Sequence, residues 1–151
     1  RLPLTGLTDA TKALIDDAVA KGAKVELGGR AWENFVEPTV LTNVDTSMDI
    51  WHDETFGPVV IVALFRTEDE AIEMNNDTEY GLAAYAFTND LNRSMRLAEQ
   101  LEAGTIGINE SVPATSNCPF GGFKQSGWGR ELGTEGVEAY LETKHVSFGG
   151  I

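Results

Sequence analysis

Apolar and polar residues alternate at two different spacings along the chain, and these spacings predict its helices and strands. Between a candidate N-cap at Thr8 or Asp9 and a helix-ending Gly22, apolar residues recur at helical steps. The face they form is made of Leu14, Ile15, Ala18 and Val19. Strand candidates follow at residues 24–27 and 38–41, separated by an irregular connection. Ser47 is the candidate cap of a short helical turn over residues 48–52.

From residue 59 the pattern becomes regular. Residues 59–65 are an unbroken apolar run, which is typical of a strand buried on both faces. A capping box over residues 67–70 predicts a helix, and residues 82–87 and 105–108 are two further apolar strands. Asp90 caps the helix between them, whose inward face is expected to contain Leu91, Met95, Ala98 and Leu101. Strands and helices that alternate with short connections predict an α/β fold, a three-layer parallel sheet with helices packed on it.

The last part of the chain leaves this pattern. Residues 110–128 are rich in Gly, Pro, Ser and Asn without periodicity, which predicts a long loop. Loops of this length in compact domains usually carry function. A last helix is predicted over residues 130–142, and residues 144–148 are a strand candidate.

Composition excludes several classes of partner. The net charge of −13 argues against nucleic acid and anionic membranes. No stretch approaches the ~20 apolar residues of a membrane span, and the N-terminal residues lack the apolar core of a secretory signal. One cysteine allows no internal disulfide, which suits a reducing compartment, so we expect a cytoplasmic protein.

A polar segment with candidate binding chemistry precedes the apolar run. Glu54 and Phe56 stand immediately before the turn-forming pair Gly57 and Pro58. A carboxylate and a ring held by a rigid turn at the mouth of a core strand are suited to binding a ligand. The alternative is an ordinary surface glutamate and a phenylalanine that packs at the edge of the core.

This segment resembles the Glu-x-Phe-Gly-Pro signature of the NAD(P)-dependent aldehyde dehydrogenase superfamily. Residues 119–131 are similar to a second family segment, Pro-Phe-Gly-Gly-x-Lys-x-Ser-Gly-x-Gly-Arg-Glu, and residues 37–41 and 140–144 also fit. The resemblance implies that residues 1–142 are the C-terminal part of the catalytic domain. It also implies that residues 143–151 hold an oligomerisation strand, so we expect a homodimer or homotetramer for the full-length protein.

The resemblance implies oxidation of an aldehyde to a carboxylic acid with NAD or NADP as cofactor. In the family a cysteine thiolate attacks the aldehyde to give a thiohemiacetal, and a glutamate base activates water. The nucleophile, that base, the oxyanion asparagine and the Gly-rich dinucleotide segment all lie N-terminal to the matched region. This chain alone is therefore expected to be inactive. We interpret Cys118, its only cysteine, as a loop residue near the substrate tunnel.

Site roles are carried over position by position. The resemblance implies that Glu54 accepts hydrogen bonds from the nicotinamide-side ribose and that Phe56 lies beside the nicotinamide or this ribose. Phe120 corresponds to an apolar wall of the substrate tunnel, with loop packing as the alternative. Glu131 is a candidate proton relay with Lys124, and a structural salt bridge is the alternative.

The substrate features look most like the succinate-semialdehyde dehydrogenase branch. That branch has a serine, four residues before the cysteine position, which helps to hold the substrate carboxylate. Here the position is Ala114, and Thr115 beside it is the candidate replacement.

Two other functions stay open. The chain could be a stand-alone, non-catalytic binding or structural module derived from this fold, or part of an acyl-CoA-forming or semialdehyde-phosphate relative that shares the fold. His52 and His145 are far apart and unaccompanied, so we expect no metal site.

Overall fold

A computed structural model of the protein describes residues 5–150, which fold as two compact units that divide after Asp77. The first unit contains, in chain order, α1 (Thr5–Ala20), β1 (Lys24–Leu27), β2 (Ala31–Trp32), β3 (Phe35–Val36), β4 (Thr39–Thr42), α2 (Asp49–His52), β5 (Val59–Val62) and α3 (Glu68–Asn76). Strand β4 is the middle strand of a three-stranded sheet, antiparallel to β1 and parallel to β5. The connection over 30–38, predicted to be irregular, contains the β2–β3 hairpin.

The core of the first unit lies between α1 and one face of this sheet. Its buried residues are Ile15, Ala18, Ala23, Leu41, Val44, Met48 and Ile50. Gly22 ends α1 as predicted, with a positive φ of 111°. The amides of Gly22 and Ala23 donate to the carbonyls of Val19 and Ala18, which satisfies the last turn of the helix.

Helix α1 begins earlier than its sequence predicts. It already includes Thr5, so Thr8 and Asp9 are helical residues rather than caps. Thr8 and Thr11 are buried in line with Ile15 and Ala18, whereas Val19 is exposed. The buried stripe of α1 is therefore part polar, which is why the position of its apolar residues alone suggested a later start.

The parallel strand β5 is covered on only one face within its unit. Val59 and Ile61 pack against the core, but Val60 is 58% and Leu64 is 85% exposed. The strand was expected to be buried on both faces. A parallel strand needs a covering layer on each side, and among the described residues of the first unit only one side of β5 has the packed core.

Helix α2 receives its N-terminal hydrogen bond from α1. The residue before it, Met48, makes no side-chain cap, and the predicted cap Ser47 bonds to Asp45 instead. The Asp49 amide donates to Asp17 Oδ2 over 2.9 Å, and Lys21 Nζ lies 2.8 Å from a carboxylate oxygen of both aspartates. Hydrogen bonds from Lys21 and from the Asp49 amide hold the pKa of Asp17 below its ordinary value.

Helix α3 begins at the predicted capping box. Thr67 Oγ1 accepts a hydrogen bond from the Glu70 amide over 3.1 Å. Glu70 in turn accepts from the amide of Arg66, one residue further back than in the standard box.

The second unit contains, in chain order, β6 (Tyr80–Gly81), β7 (Ala83–Ala86), α4 (Leu91–Gln100), β8 (Thr105–Ile108), β9 (Phe123–Lys124) and α5 (Gly133–Glu138). Strands β7 and β8 are parallel and joined through α4, whose N-cap is Asp90 as predicted. Strands β6 and β9 pair antiparallel. The mixed α/β content agrees with the predicted fold class.

Helix α4 leaves its apolar face open. Of the four residues expected to point inward, only Leu101 is buried, while Leu91 is 76% exposed and Met95 and Ala98 are also exposed. The helix contacts β8.

The loop after β8 returns to the sheet through a very close backbone contact. A Cβ on Gly104 would lie 1.8 Å from the carbonyl oxygen of Gly121, so this position admits only glycine. Helix α5 is shorter than the predicted 130–142. Residues 141–150 are neither helical nor paired with a strand among the described residues. No helix in residues 5–150 has both the length and the apolar character needed to cross a membrane.

We expect Asp17→Asn to destabilise the protein in a pH-dependent way. The folded pKa of Asp17 is lowered, so its stabilisation is present above the ~3.9 of an unfolded aspartate and is lost as pH falls through the folded value. Thermal unfolding from pH 7 to pH 2.5 should show a wild-type advantage that disappears on acidification. Asp16→Asn removes an exposed pair with Lys12 and should change little. A constant difference between wild type and Asp17→Asn at every pH would contradict the assignment.

We expect Gly104→Ala to lower the free energy of unfolding by about 3 kcal/mol or more, because a methyl group would overlap a backbone oxygen. Urea unfolding measures the change. Gly149→Ala is the control, since a Cβ there meets nothing within 4 Å. Equal stability of the two variants would show that the loop does not approach β8 in this way.

Candidate functional site

The signature segment connects α2 to β5 and is anchored at its end by backbone hydrogen bonds. The Val59 amide donates to the Gly57 carbonyl over 2.8 Å, which closes a tight turn around Pro58. The Thr39 amide of β4 donates to the Pro58 carbonyl over 2.9 Å. The turn is therefore the first part of the parallel β4–β5 ladder, where the sequence predicted the mouth of a strand.

Glu54 and Phe56 project from this anchored turn with their side chains available. Glu54 is exposed, and its carboxylate has no hydrogen-bond or ion-pair partner among the described residues. Phe56 is 65% exposed. An ionised carboxylate with all its lone pairs available is a strong acceptor for hydroxyl donors, and an exposed ring beside it offers a flat apolar contact.

Helix α1 packs closely against the turn through Thr11. A Cβ on Gly57 would lie 2.7 Å from Thr11 Oγ1 and 2.8 Å from its Cγ2. Glycine is therefore required at this position by the proximity of Thr11. This contact could not be predicted from the sequence, because nothing in the local pattern links two residues so far apart.

In the second unit the backbone brings together two of the predicted site residues. The Phe120 and Glu131 amides each donate to the other residue's carbonyl over 2.7 Å, which forms an isolated antiparallel bridge. Phe120 is half-buried, and the Glu131 side chain is exposed without a partner in the described part of the chain. This bridge also explains the late start of α5, since the backbone of Glu131 is extended there.

The expected pairing of Glu131 with Lys124 is not formed. Lys124 Nζ lies 2.5 Å from Glu102 Oε2 and donates to the Thr78 carbonyl over 3.1 Å. Lys124 belongs to β9, which pairs with β6, and this pairing directs its side chain toward Thr78. Lys124 thus has a structural role, and Glu131 has its carboxylate available for other partners.

Arg130 holds the glycine-rich part of the motif in place. Its Nη1 donates to the carbonyls of Gly122 and Gly129 over 3.1 and 2.7 Å, and its guanidinium lies 5.7 Å from the centre of the Phe123 ring. The motif predicted no role for this arginine. The available signal was a charged residue next to several glycines whose carbonyls need donors.

The loop that carries Thr115 is held at its base and exposed at its tip. Asn109 accepts from the Thr88 amide and donates to the Thr88 carbonyl, which joins the ends of β7 and β8. Thr115 is exposed, and its carbonyl accepts from the Cys118 amide over 3.1 Å. The Cys118 thiol is exposed, in agreement with a loop residue.

Each of the two units has a carboxylate and an aromatic ring that could contact a ligand. The first unit presents a carboxylate and a ring on one turn, and the second presents a half-buried ring and an exposed carboxylate bridged through their backbones. No group of three or more His, Cys, Asp or Glu side chains in residues 5–150 is placed to hold a metal ion. His52 bonds to the Thr46 carbonyl through Nε2.

Comparison with known proteins gives consistent relatives. Betaine aldehyde dehydrogenase of Atriplex hortensis, a chloroplastic protein, is 46% identical over 94% of this chain and 29% of its own length. Mitochondrial succinate-semialdehyde dehydrogenase of Homo sapiens is 48% identical over 91% of this chain and 26% of its own length. The chain thus spans less than a third of the curated relatives that it matches.

Solved structures agree with the sequence relatives. Betaine aldehyde dehydrogenase of Staphylococcus aureus in complex with NAD+ superposes with a TM-score of 0.86 at 45% identity, over 94% of this chain and 30% of that one. Succinate-semialdehyde dehydrogenase of Burkholderia pseudomallei gives a TM-score of 0.84 at 43% identity, over 89% of this chain and 29% of that one. The model of the aldehyde dehydrogenase family matches residues 7–146. This chain belongs to the aldehyde dehydrogenase family.

Proposed function

We propose that the chain is the C-terminal part of an enzyme that oxidises an aldehyde to a carboxylic acid with NAD. The observation that carries the proposal is the exposed Glu54 carboxylate, which has no partner among the described residues although the turn that holds it is fixed. An unpaired carboxylate on a rigid turn is suited to binding a ligand that offers two neighbouring hydroxyl donors.

The acceptor and the ring on this turn suit NAD. Glu54 has both carboxylate oxygens available to accept hydrogen bonds from the two hydroxyls of a ribose, and the exposed Phe56 ring lies two residues further along the chain. The Staphylococcus aureus relative was solved with NAD+, which supports this cofactor. NAD supplies the hydride acceptor when it is bound. NADP is the alternative cofactor.

On this proposal, each site residue of this chain takes part in ligand binding or in proton transfer. Glu54 orients the ribose, and Phe56 limits where the ring attached to it can lie. Phe120, half-buried on its bridge to Glu131, provides an apolar wall for the aldehyde and excludes water. The exposed Glu131 carboxylate holds or releases a proton near this wall.

The nucleophile that forms the thiohemiacetal lies, on this proposal, in a part of the enzyme outside the chain. Cys118 is exposed on the loop and comes directly before Pro119, and no basic side chain hydrogen-bonds to it among the described residues. Activation of a thiol requires a neighbouring base or cation. The activation geometry of a nucleophile is therefore not built around Cys118.

The uncovered apolar faces support a longer protein. The outer face of the first sheet leaves Val60, Val62 and Leu64 exposed, and α4 leaves Leu91 and Met95 exposed. Large side chains at strand and helix spacing are normally interior. We infer that further layers of the same enzyme cover both faces.

We propose a small aldehyde as the substrate. The charge of the group at the end remote from the aldehyde is left open. The similar proteins include a betaine aldehyde dehydrogenase and a succinate-semialdehyde dehydrogenase, whose named substrates carry opposite charges. Thr115 is exposed on the loop beside Ala114 and is our candidate for a hydroxyl that donates a hydrogen bond to a substrate carboxylate. A panel of cationic, neutral and anionic aldehydes decides the class.

Assembly and location are parts of the same proposal. Residues 143–149 carry the exposed side chains of Val146 and Phe148 and pair with no described strand, so they can add an edge strand to a partner subunit. We propose a homodimer or homotetramer. The cytoplasmic location remains a prediction from the single cysteine, and the acidic charge makes a nucleic-acid partner unfavourable.

A non-catalytic binding or structural module is the second candidate. The lack of an activated nucleophile among the described residues favours this candidate. Titration of the isolated chain with NAD separates the two: binding tighter than millimolar would favour an independent module, because a part that contacts one ribose should bind very weakly.

We expect Glu54→Gln to raise KM for NAD on the order of tenfold or more in the full-length enzyme, since charge-assisted hydrogen bonds are replaced by neutral ones. KM for the aldehyde should change less. Initial rates of NADH formation measure both constants. The control is Glu73→Gln on α3, an exposed glutamate away from the turn. An unchanged KM for NAD would remove Glu54 from the cofactor site.

Replacing Val146 and Phe148 by aspartate should weaken assembly of the full-length protein, because charge is placed on the side chains expected at the subunit contact. Sedimentation equilibrium at micromolar concentration measures the mass. Val112→Asp, at an exposed apolar loop position, is the control. A wild-type protein that sediments as a monomer would refute the assembly.

A further inference from the structure

We propose that helix α1 is the platform that sets the position of Glu54 and Phe56, with Thr11 and Asp17 as positioning residues for cofactor binding. This inference rests on the proposed function, in which Glu54 holds the cofactor ribose. Neither residue touches the cofactor in this account. They act by fixing both ends of the segment from Met48 to Pro58.

The C-terminal end of the segment is fixed by packing. Thr11 is 2% exposed and lies directly below Gly57, where a Cβ would meet its Oγ1 at 2.7 Å and its Cγ2 at 2.8 Å. The φ of Gly57 is not in the left-handed region, so an alanine is permitted there by the backbone and is excluded only by Thr11. The contact therefore sets how closely the turn approaches α1.

The N-terminal end is fixed by a charged hydrogen-bond network. Asp17 accepts from the Asp49 amide over 2.9 Å and is itself held by Lys21. Helix α2 is only four residues long and has no cap of its own, and a single turn is not stable without outside support. Asp17 thus determines where α2 starts, and Asp53 ends it immediately before Glu54.

The two anchors belong to one rigid element. Thr11 and Asp17 lie on the same helix, and the side chains of Ile15 and Ala18 pack this helix against the core. The third attachment is the Thr39 amide on the Pro58 carbonyl, which comes from the sheet. The turn is held by both the helix and the sheet, so the backbone that carries the exposed side chains of Glu54 and Phe56 is fixed. This lowers the entropic cost of ordering these side chains when a ligand binds.

The test is a rescue experiment in the full-length protein. Gly57→Ala inserts a methyl group against Thr11 and displaces the turn. Thr11→Ala removes both atoms that lie under 3 Å from that methyl and leaves Cβ at 3.3 Å, so the double variant should accommodate it. Gly6→Ala on α1 is the matched control, since nothing lies within 4 Å of a Cβ there. Each protein is assayed for KM of NAD, KM of the aldehyde, kcat and melting temperature.

We expect Gly57→Ala to raise KM for NAD between about tenfold and a hundredfold with a smaller effect on KM for the aldehyde. The Thr11→Ala/Gly57→Ala double variant should return KM for NAD to within about threefold of Thr11→Ala alone. Asp17→Asn should raise KM for NAD in the same direction, and Asp17→Glu should restore part of the loss.

Two results would overturn the inference. One is a Gly57→Ala variant that loses thermal stability while KM for NAD is unchanged, since this is a structural role only. The other is a double variant no better than Gly57→Ala. If wild type and Gly6→Ala both neither bind NAD nor form NADH with any aldehyde, the proposed function fails, and the inference falls with it.

Discussion

The first pair of the parallel ladder, Thr39 and Val59, joins the signature turn to the sheet, which complements the proposed anchoring of the same segment by α1. The Thr39 amide donates to the Pro58 carbonyl, and its buried Oγ1 accepts from the Gly29 amide and donates to the Glu37 carbonyl. One residue therefore joins the end of β1, the residue after the β2–β3 hairpin and the signature turn. Loss of the Thr39 hydroxyl would leave the Gly29 amide and the Glu37 carbonyl without this partner.

Close backbone contacts also hold the candidate site residues of the second unit, where they involve glycines instead of a threonine. Gly104 approaches the Gly121 carbonyl more closely than any side chain permits, and Arg130 donates to the Gly122 carbonyl beside it. These contacts keep Phe120 near the sheet while the loop tip at Thr115 remains exposed. In both units a rigid backbone contact supports a side chain with no structural bond of its own, which suits groups reserved for ligands.

Local patterns predicted much of the fold because they are decided by neighbouring residues. Strands β1 and β8, the caps Thr67 and Asp90 and the helix end at Gly22 were all read correctly from the sequence. Long-range contacts were not predictable in this way. No sequence rule links Asp17 to the Asp49 amide, and the pairing of Lys124 with Glu102 rather than Glu131 depends on the β6–β9 pairing.

Burial was the least predictable property, for a physical reason. Val60 and Leu91 have the spacing of core residues and are nevertheless exposed, because the described residues of their own units do not cover them. The family motifs, in contrast, identified the aldehyde dehydrogenase family, which the matched residues 7–146 confirm. Motifs located Glu54, Phe56, Phe120 and Glu131, and their roles remain proposals.

The central claim is that this chain supplies cofactor and substrate contacts to an aldehyde dehydrogenase whose nucleophile lies elsewhere in the enzyme. Aldehyde-dependent NADH formation by the full-length protein, with and without the Cys118→Ser substitution, tests it most directly. We expect the substituted enzyme to keep its activity to within about twofold, because the Cys118 thiol is exposed on a loop and no basic side chain among the described residues hydrogen-bonds to it. Complete loss of NADH formation in a folded Cys118→Ser protein would contradict it and would make Cys118 the nucleophile.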